Sequence, residues 1–162
     1  MLKTQLPKNQ IIQNLLLIFS GLLLIISCQT KQPATHENVE ETVIAFENDA
    51  LDQYAQGNPL GFSQHVADDI TYVDDNGAYT RIEGIEAFNN YLNSLVGIIP
   101  QHQYKMVDPL VQVYGDVAIL TYQWHSKIDT ISGQPWKASS IYHFNDSTWQ
   151  MVHAHWSPMT EE

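Results

Sequence analysis

Apolar residues along this chain follow two rhythms, one at every third or fourth position and one at every second. From Glu37 the first rhythm holds: Val39, Val43, Phe46, Ala50 and Tyr54 share one face of a helix. Glu37, Glu40 and Glu41 lie near its start, where the helix dipole favours negative charge, and Gly57 suits its end. Asn58 and Pro59 predict a second, short helix to about Val66. Gly84 opens a third, with Ile85, Phe88, Leu92 and Leu95 on one face and an end near Gly97. Between them, 70–73 reads as a strand closed by the turn-prone Asp74, Asp75, Asn76 and Gly77, with 79–82 pairing back. The remainder alternates with period two: strands are expected over 103–114, 117–129, 136–144 and 149–157. Gly115-Asp116, 132–135 and 145–148 form the turns. Helices followed by a run of strands predict an α+β domain over 37–158, three helices on one face of an antiparallel sheet.

The first 27 residues have a different pattern. Lys3 and Lys8 precede a 16-residue run, 11–26, broken only by Gln13, Asn14, Ser20 and Gly21. A spanning helix needs about 20 apolar residues, so the run suits a secretory signal better than a permanent anchor. Leu24-Ile25-Ile26-Ser27-Cys28 ends on the only cysteine in the chain and resembles the lipobox read by lipoprotein signal peptidase. That resemblance implies cleavage before Cys28 and a lipid on its thiol. The alternatives are an uncleaved signal anchor and plain secretion with a free thiol, which as a leftover cysteine needs its own explanation. The polar segment 28–36, with Pro33, reads as a tether.

Composition narrows the function classes. Removing 1–27 leaves 135 residues, with five of the seven basic residues against all eighteen acids, a formal charge of −13. Such a balance excludes ordinary nucleic-acid binding, which needs clustered Lys and Arg, and electrostatic adhesion to anionic lipid. The expected partners are a membrane reached through the lipid at the cell envelope (periplasmic face or outer membrane), a small molecule, and a second copy of the chain. With a single cysteine, the fold relies on its apolar core rather than disulfides.

Candidate chemistry concentrates near the C-terminus. Successive strand residues alternate faces, so His153 and His155 are expected on one side with Trp149, Met151 and Ser157. Two histidines at i and i+2 stand about 6.5 Å apart along a strand, a spacing that suits two metal ligands, with His125 or His143 as a third. No carboxylate clusters with them, so no metal and no cofactor is assigned.

The order of elements resembles the nuclear transport factor 2-like superfamily, in its SnoaL-like and calcium/calmodulin-dependent kinase II association-domain branches. Arg81-Ile82-Glu83-Gly84 is similar to their strand-to-helix junction, and Gly115-Asp116-Val117-Ala118 to the hairpin before their long strand. The segment 149–157, with its tryptophans, histidines and serine, is similar to their closing strand. The resemblance implies a cone with a pocket and pairing through the convex sheet face. It leaves function open, because one fold hosts many chemistries. Isomerases of this type place a carboxylate in the pocket, whereas the strands after 117 lack Asp and Glu apart from the turn residues. Asp69 keeps a modest claim; Asp74, Asp75, Asp129 and Asp146 read as solvated turn residues. His153 or His155 would then be the base of an envelope isomerase, dehydratase or cyclase. Kinase association domains line their pocket with arginines. Two of those positions align here with Thr121 and Ser140, so a pocket for anions is not carried over. What remains is an aromatic and hydroxyl set, Tyr54, Tyr72, Thr121, Tyr122, Trp124, Ser140 and Tyr142, that suits a small-molecule pocket or simply core packing. Alternation puts Thr121 and Gln123 on one face and Tyr122 and Trp124 on the other, without saying which face is inward.

Overall fold

The first helix, α1 (Val39–Ala55), forms where the three-and-four spacing predicts it, with Glu40 and Glu41 in its first turn. A computed structural model of the protein describes residues 38–74 and 80–160. The expected signal segment 1–27, Cys28, the expected tether 28–36 and residues 75–79 lie outside the described residues.

The second expected helix is a 3-10 turn, η1 (Pro59–Ser63), and the chain is extended again by Val66. Asn58 caps η1 by accepting from the Leu60 N–H at 3.2 Å. Gly61 lets the turn press on α1: a Cβ there would lie 2.6 Å from the Gln53 Cβ. Strands β1 (Val66–Asp74) and β2 (Thr80–Glu83) form a hairpin, and α2 (Ile85–Ser94) follows from Gly84, whose φ of 82° suits glycine. The described residues thus contain two α-helices and a 3-10 turn rather than three helices, and α2 follows the first hairpin.

Strands β3 (Gln103–Tyr114), β4 (Val117–Ile128), β5 (Ile131–Ser132), β6 (Trp136–Phe144) and β7 (Trp149–Pro158) complete a seven-stranded sheet. Its order is β2-β1-β7-β6-β4-β3, with β5 paired to the end of β4. Every strand pairing among the described residues is antiparallel except that of β1 with β7, which is parallel, so the sheet is mixed and not purely antiparallel. The connection through α2 carries the chain from β2 to the far edge at β3, and the meander returns its last strand beside β1. Hairpin turns signal only neighbours in sequence, so this pairing is not visible in the turn pattern.

Three register shifts interrupt the strand pairing, one of them between Val66 and Thr71 where β1 meets β7. In β3, Asp108 adopts φ 50° and Pro109 offers no N–H, so pairing with β4 shifts between Val107 and Leu110. In β7, Ile141 faces His153 and Tyr142 faces Met151, leaving Val152 as an extra residue. The helices pack on the inner face, where Val43, Leu51, Ile70, Phe88, Leu120 and Tyr142 are nearly or fully buried.

Candidate functional site

Cross-strand partners share a face of the sheet. Tyr122, Ala138, Trp156 and Asp74 are matched across four neighbouring strands, and buried Tyr122 and Ala138 fix that row as inward. One step along, Trp124 faces Trp136. Above these rings stand Leu51 and Tyr54 of α1, Phe62 of η1, and Phe88, Tyr91 and Leu92 of α2, with Leu95 just beyond it. Together with Tyr72 of β1 they enclose a cavity of about 760 Å³, counting its open mouth.

The rings meet edge to face. Trp124 and Trp156 have centroids 6.2 Å apart at 80°, and Tyr54 meets Trp124 at 6.4 Å and 70°. Tyr72 leans on Phe88 and Tyr91 at 5.2 and 5.3 Å. His102 closes the outside of this wall, 5.7 Å from Tyr54 and 5.5 Å from Trp124. Into the apolar box projects Asp74. Its Oδ2 accepts from the Tyr91 hydroxyl at 2.9 Å and the Tyr72 hydroxyl at 3.4 Å. Its Oδ1 and the Trp124 Nε1 are buried with no hydrogen-bond partner among the described residues. Burial, then the Asp74 charge, raises the Tyr54 and Tyr91 hydroxyl pKa values; for Tyr72 burial again leads, followed by Tyr91 and Asp74. All three hydroxyls therefore keep their protons, and those of Tyr72 and Tyr91 donate to Asp74.

The residues predicted from sequence separate into three places. Tyr54, Tyr72 and Trp124 line the cavity. Tyr122, Ser140 and Tyr142 lie deeper and serve Glu47, a fully buried carboxyl on α1. Tyr122 and Ser140 donate to Oε1 at 2.7 and 3.2 Å, and Tyr142 donates to Oε2 at 2.5 Å. Burial raises the Glu47 pKa, with the three hydroxyl bonds opposing that rise. Thr121 belongs to the outer face, opposite Ser139 and Leu110.

The histidine expectation needs correction. The extra residue Val152 reverses the alternation, so Trp149 and Met151 face the core while His153 and His155 lie on the outer face. There the His153 Nδ1 lies 2.8 Å from the Thr71 hydroxyl, and burial, then neighbouring His155, lowers its pKa. Neither histidine reaches the cavity. Asp69 is exposed on β1 and is also absent from the cavity wall. The carboxylate that does reach it, Asp74, was legible in one respect: it stands two residues from Tyr72 on the same strand and hence on the same face. Glu47 carried a signal too, lying four residues from Val43 and three from Ala50 on the apolar stripe of α1.

Residues 43–161 match the SnoaL-like domain family. Among solved structures, the chain is similar to a candidate ketosteroid isomerase from Parabacteroides distasonis, at 26% identity and TM-score 0.65, covering 80% of this chain and 94% of that one. It is also similar in fold to a nuclear transport factor 2-like protein of unknown function from Pseudomonas putida, at 18% identity and TM-score 0.67 over 75% of this chain and 87% of that one. A CaMKII hub from S. rosetta shares the fold at 19% identity and TM-score 0.58, over 74% of this chain and 95% of that one. No curated protein matches the chain.

Proposed function

Because this chain belongs to the SnoaL-like domain family, we propose that it binds a small, largely apolar molecule in the cavity between its helices and the inner sheet face. One observation carries this: an aromatic box holds two buried polar atoms, Asp74 Oδ1 and Trp124 Nε1, with no partner among the described residues. Buried polar groups are normally satisfied, so a ligand bearing matching groups would gain directional bonds as well as apolar contact. A fragment panel screened by ligand-observed NMR should yield binders that Leu95→Trp, which fills the cavity from its wall, displaces. Fragments that bind this variant unchanged would place recognition elsewhere.

In this proposal the domain works at the cell envelope, cut from its signal segment 1–27 and held by a lipid on Cys28 through the tether 28–36. It pairs with a second copy through the outer sheet face, where Ile119, Thr121, Ser139, Ile141 and His153 form a half-buried, mixed apolar and hydroxyl surface. The lipobox-like segment supports the first part, and the likeness to a hub domain supports the second. Native mass spectrometry of the protein extracted in detergent tests both. The expected species is a dimer or larger assembly of chains starting at Cys28, each carrying acyl mass. A bare cysteine or a lone monomer at high concentration would remove the corresponding part.

A second reading rests on Asp74 alone. Proton-transfer chemistry from this cavity would use that carboxylate as base, with the Tyr91 hydroxyl orienting it at 2.9 Å. The outer-face histidines have no place in it.

A further inference from the structure

We infer that the cavity is built for an organic cation, a methylated or quaternary ammonium group on an apolar body. The inference rests on the cavity being a ligand site and specifies the chemistry that fits it. Among the described residues of its wall, Asp74 is the one acid, and no Lys, Arg or His is present. Among the described residues, both hydrogen-bond partners of its carboxylate are neutral hydroxyls, from Tyr72 and Tyr91. A second anion in the cavity would meet this charge at close range, and a neutral guest would leave it unbalanced. A cation would balance it.

The walls supply the other half of the recognition. Cations are attracted to the negative faces of aromatic rings, most strongly to tryptophan. Trp124, Trp136 and Trp156 all line the cavity, facing Tyr54, Tyr72 and Tyr91 from the helices and β1. Trp124 and Trp156 stand nearly perpendicular, as do Tyr54 and Trp124, so the rings form walls of a box rather than one stack. Half-buried tyrosines that keep their protons add ring faces without adding charge. A primary ammonium would bring three N–H donors to a wall whose carboxylate has one oxygen, the Asp74 Oδ1, left to accept, and a single hydroxyl on the guest suffices for that oxygen. A methylated ammonium has few or none to satisfy and presents an apolar surface to the rings.

The test compares choline with its uncharged carbon isostere, 3,3-dimethylbutan-1-ol, titrated by NMR into the full chain in detergent. Choline should bind at least about tenfold more tightly, the scale of a desolvated cation–π contact. Asp74→Asn should remove most of that preference, lowering choline's affinity far more than the isostere's. Equal binding of the two probes by the wild type would overturn the cation inference and leave the cavity as a general apolar site. Failure of both to bind at millimolar concentration would overturn the inference and the ligand-site reading together. The wild-type comparison decides even where Asp74→Asn folds poorly.

Discussion

Glu47→Ala is expected to destabilise the domain by about 3–5 kcal/mol. Glu47 is fully buried, and its carboxyl is the acceptor for the hydroxyls of Tyr122, Ser140 and Tyr142. Removing it leaves three buried donors facing a void on α1 and three separate strand positions without their common partner. For a domain of this size that loss corresponds to a melting temperature roughly 10–20 °C lower. Thermal unfolding by circular dichroism checks it, and a Glu47→Ala protein melting within about 2 °C of wild type would contradict the role assigned to this group.

The same residue fixes a pH dependence of definite sign. The folded-state pKa of Glu47 is raised above 4.5, chiefly by burial. Between 4.5 and the raised value the folded state therefore holds more protons than the unfolded one. The Glu47 contribution to stability is full below that window and falls as pH climbs through it. Glu47→Gln keeps a carbonyl acceptor but cannot ionise, so its stability should lose this slope relative to wild type.

The second large effect is expected from Phe88→Ala, at about 3–5 kcal/mol. Phe88 is 1% exposed, packs on Tyr72 with centroids 5.2 Å apart, and forms part of the cavity wall. Truncation removes apolar contact from both α2 and β1 and opens the core into the cavity, where the rigid rings of Tyr72 and Tyr91 limit collapse. Urea denaturation measures the loss directly. Phe88→Leu, which keeps much of the volume, should lose under half as much. Equal losses from the two variants would show that shape at this site matters more than filled volume.

These residues show how far sequence reasoning reaches. Phe88 belongs to an apolar stripe, and its burial follows from period alone. Glu47 sits on the equivalent stripe of α1 but counts as polar in any hydrophobic pattern. Its burial depends on hydroxyls delivered by β4 and β6, 75 to 95 positions away. Asp74 has the look of a turn residue because Asp75, Asn76 and Gly77 follow it. Its entry into an aromatic cavity depends on α2 folding back to place Tyr91 against it.

By itself the sequence determined the α+β class, the positions of α1 and α2, the four long strands and the lipobox-like segment ending at Cys28. Each is encoded in neighbours within a few positions, by period, by turn residues or by a short motif. Only the tertiary structure decided which face of each strand points inward and what the polar side chains meet there. A single extra residue, Val152, sends His153 and His155 outward, and the return of β7 beside β1 brings Trp156 level with Asp74. The physical reason is that facing in a sheet has period two, so one unsignalled bulge reverses it, and hydrogen-bond partners are chosen by folding across the whole chain.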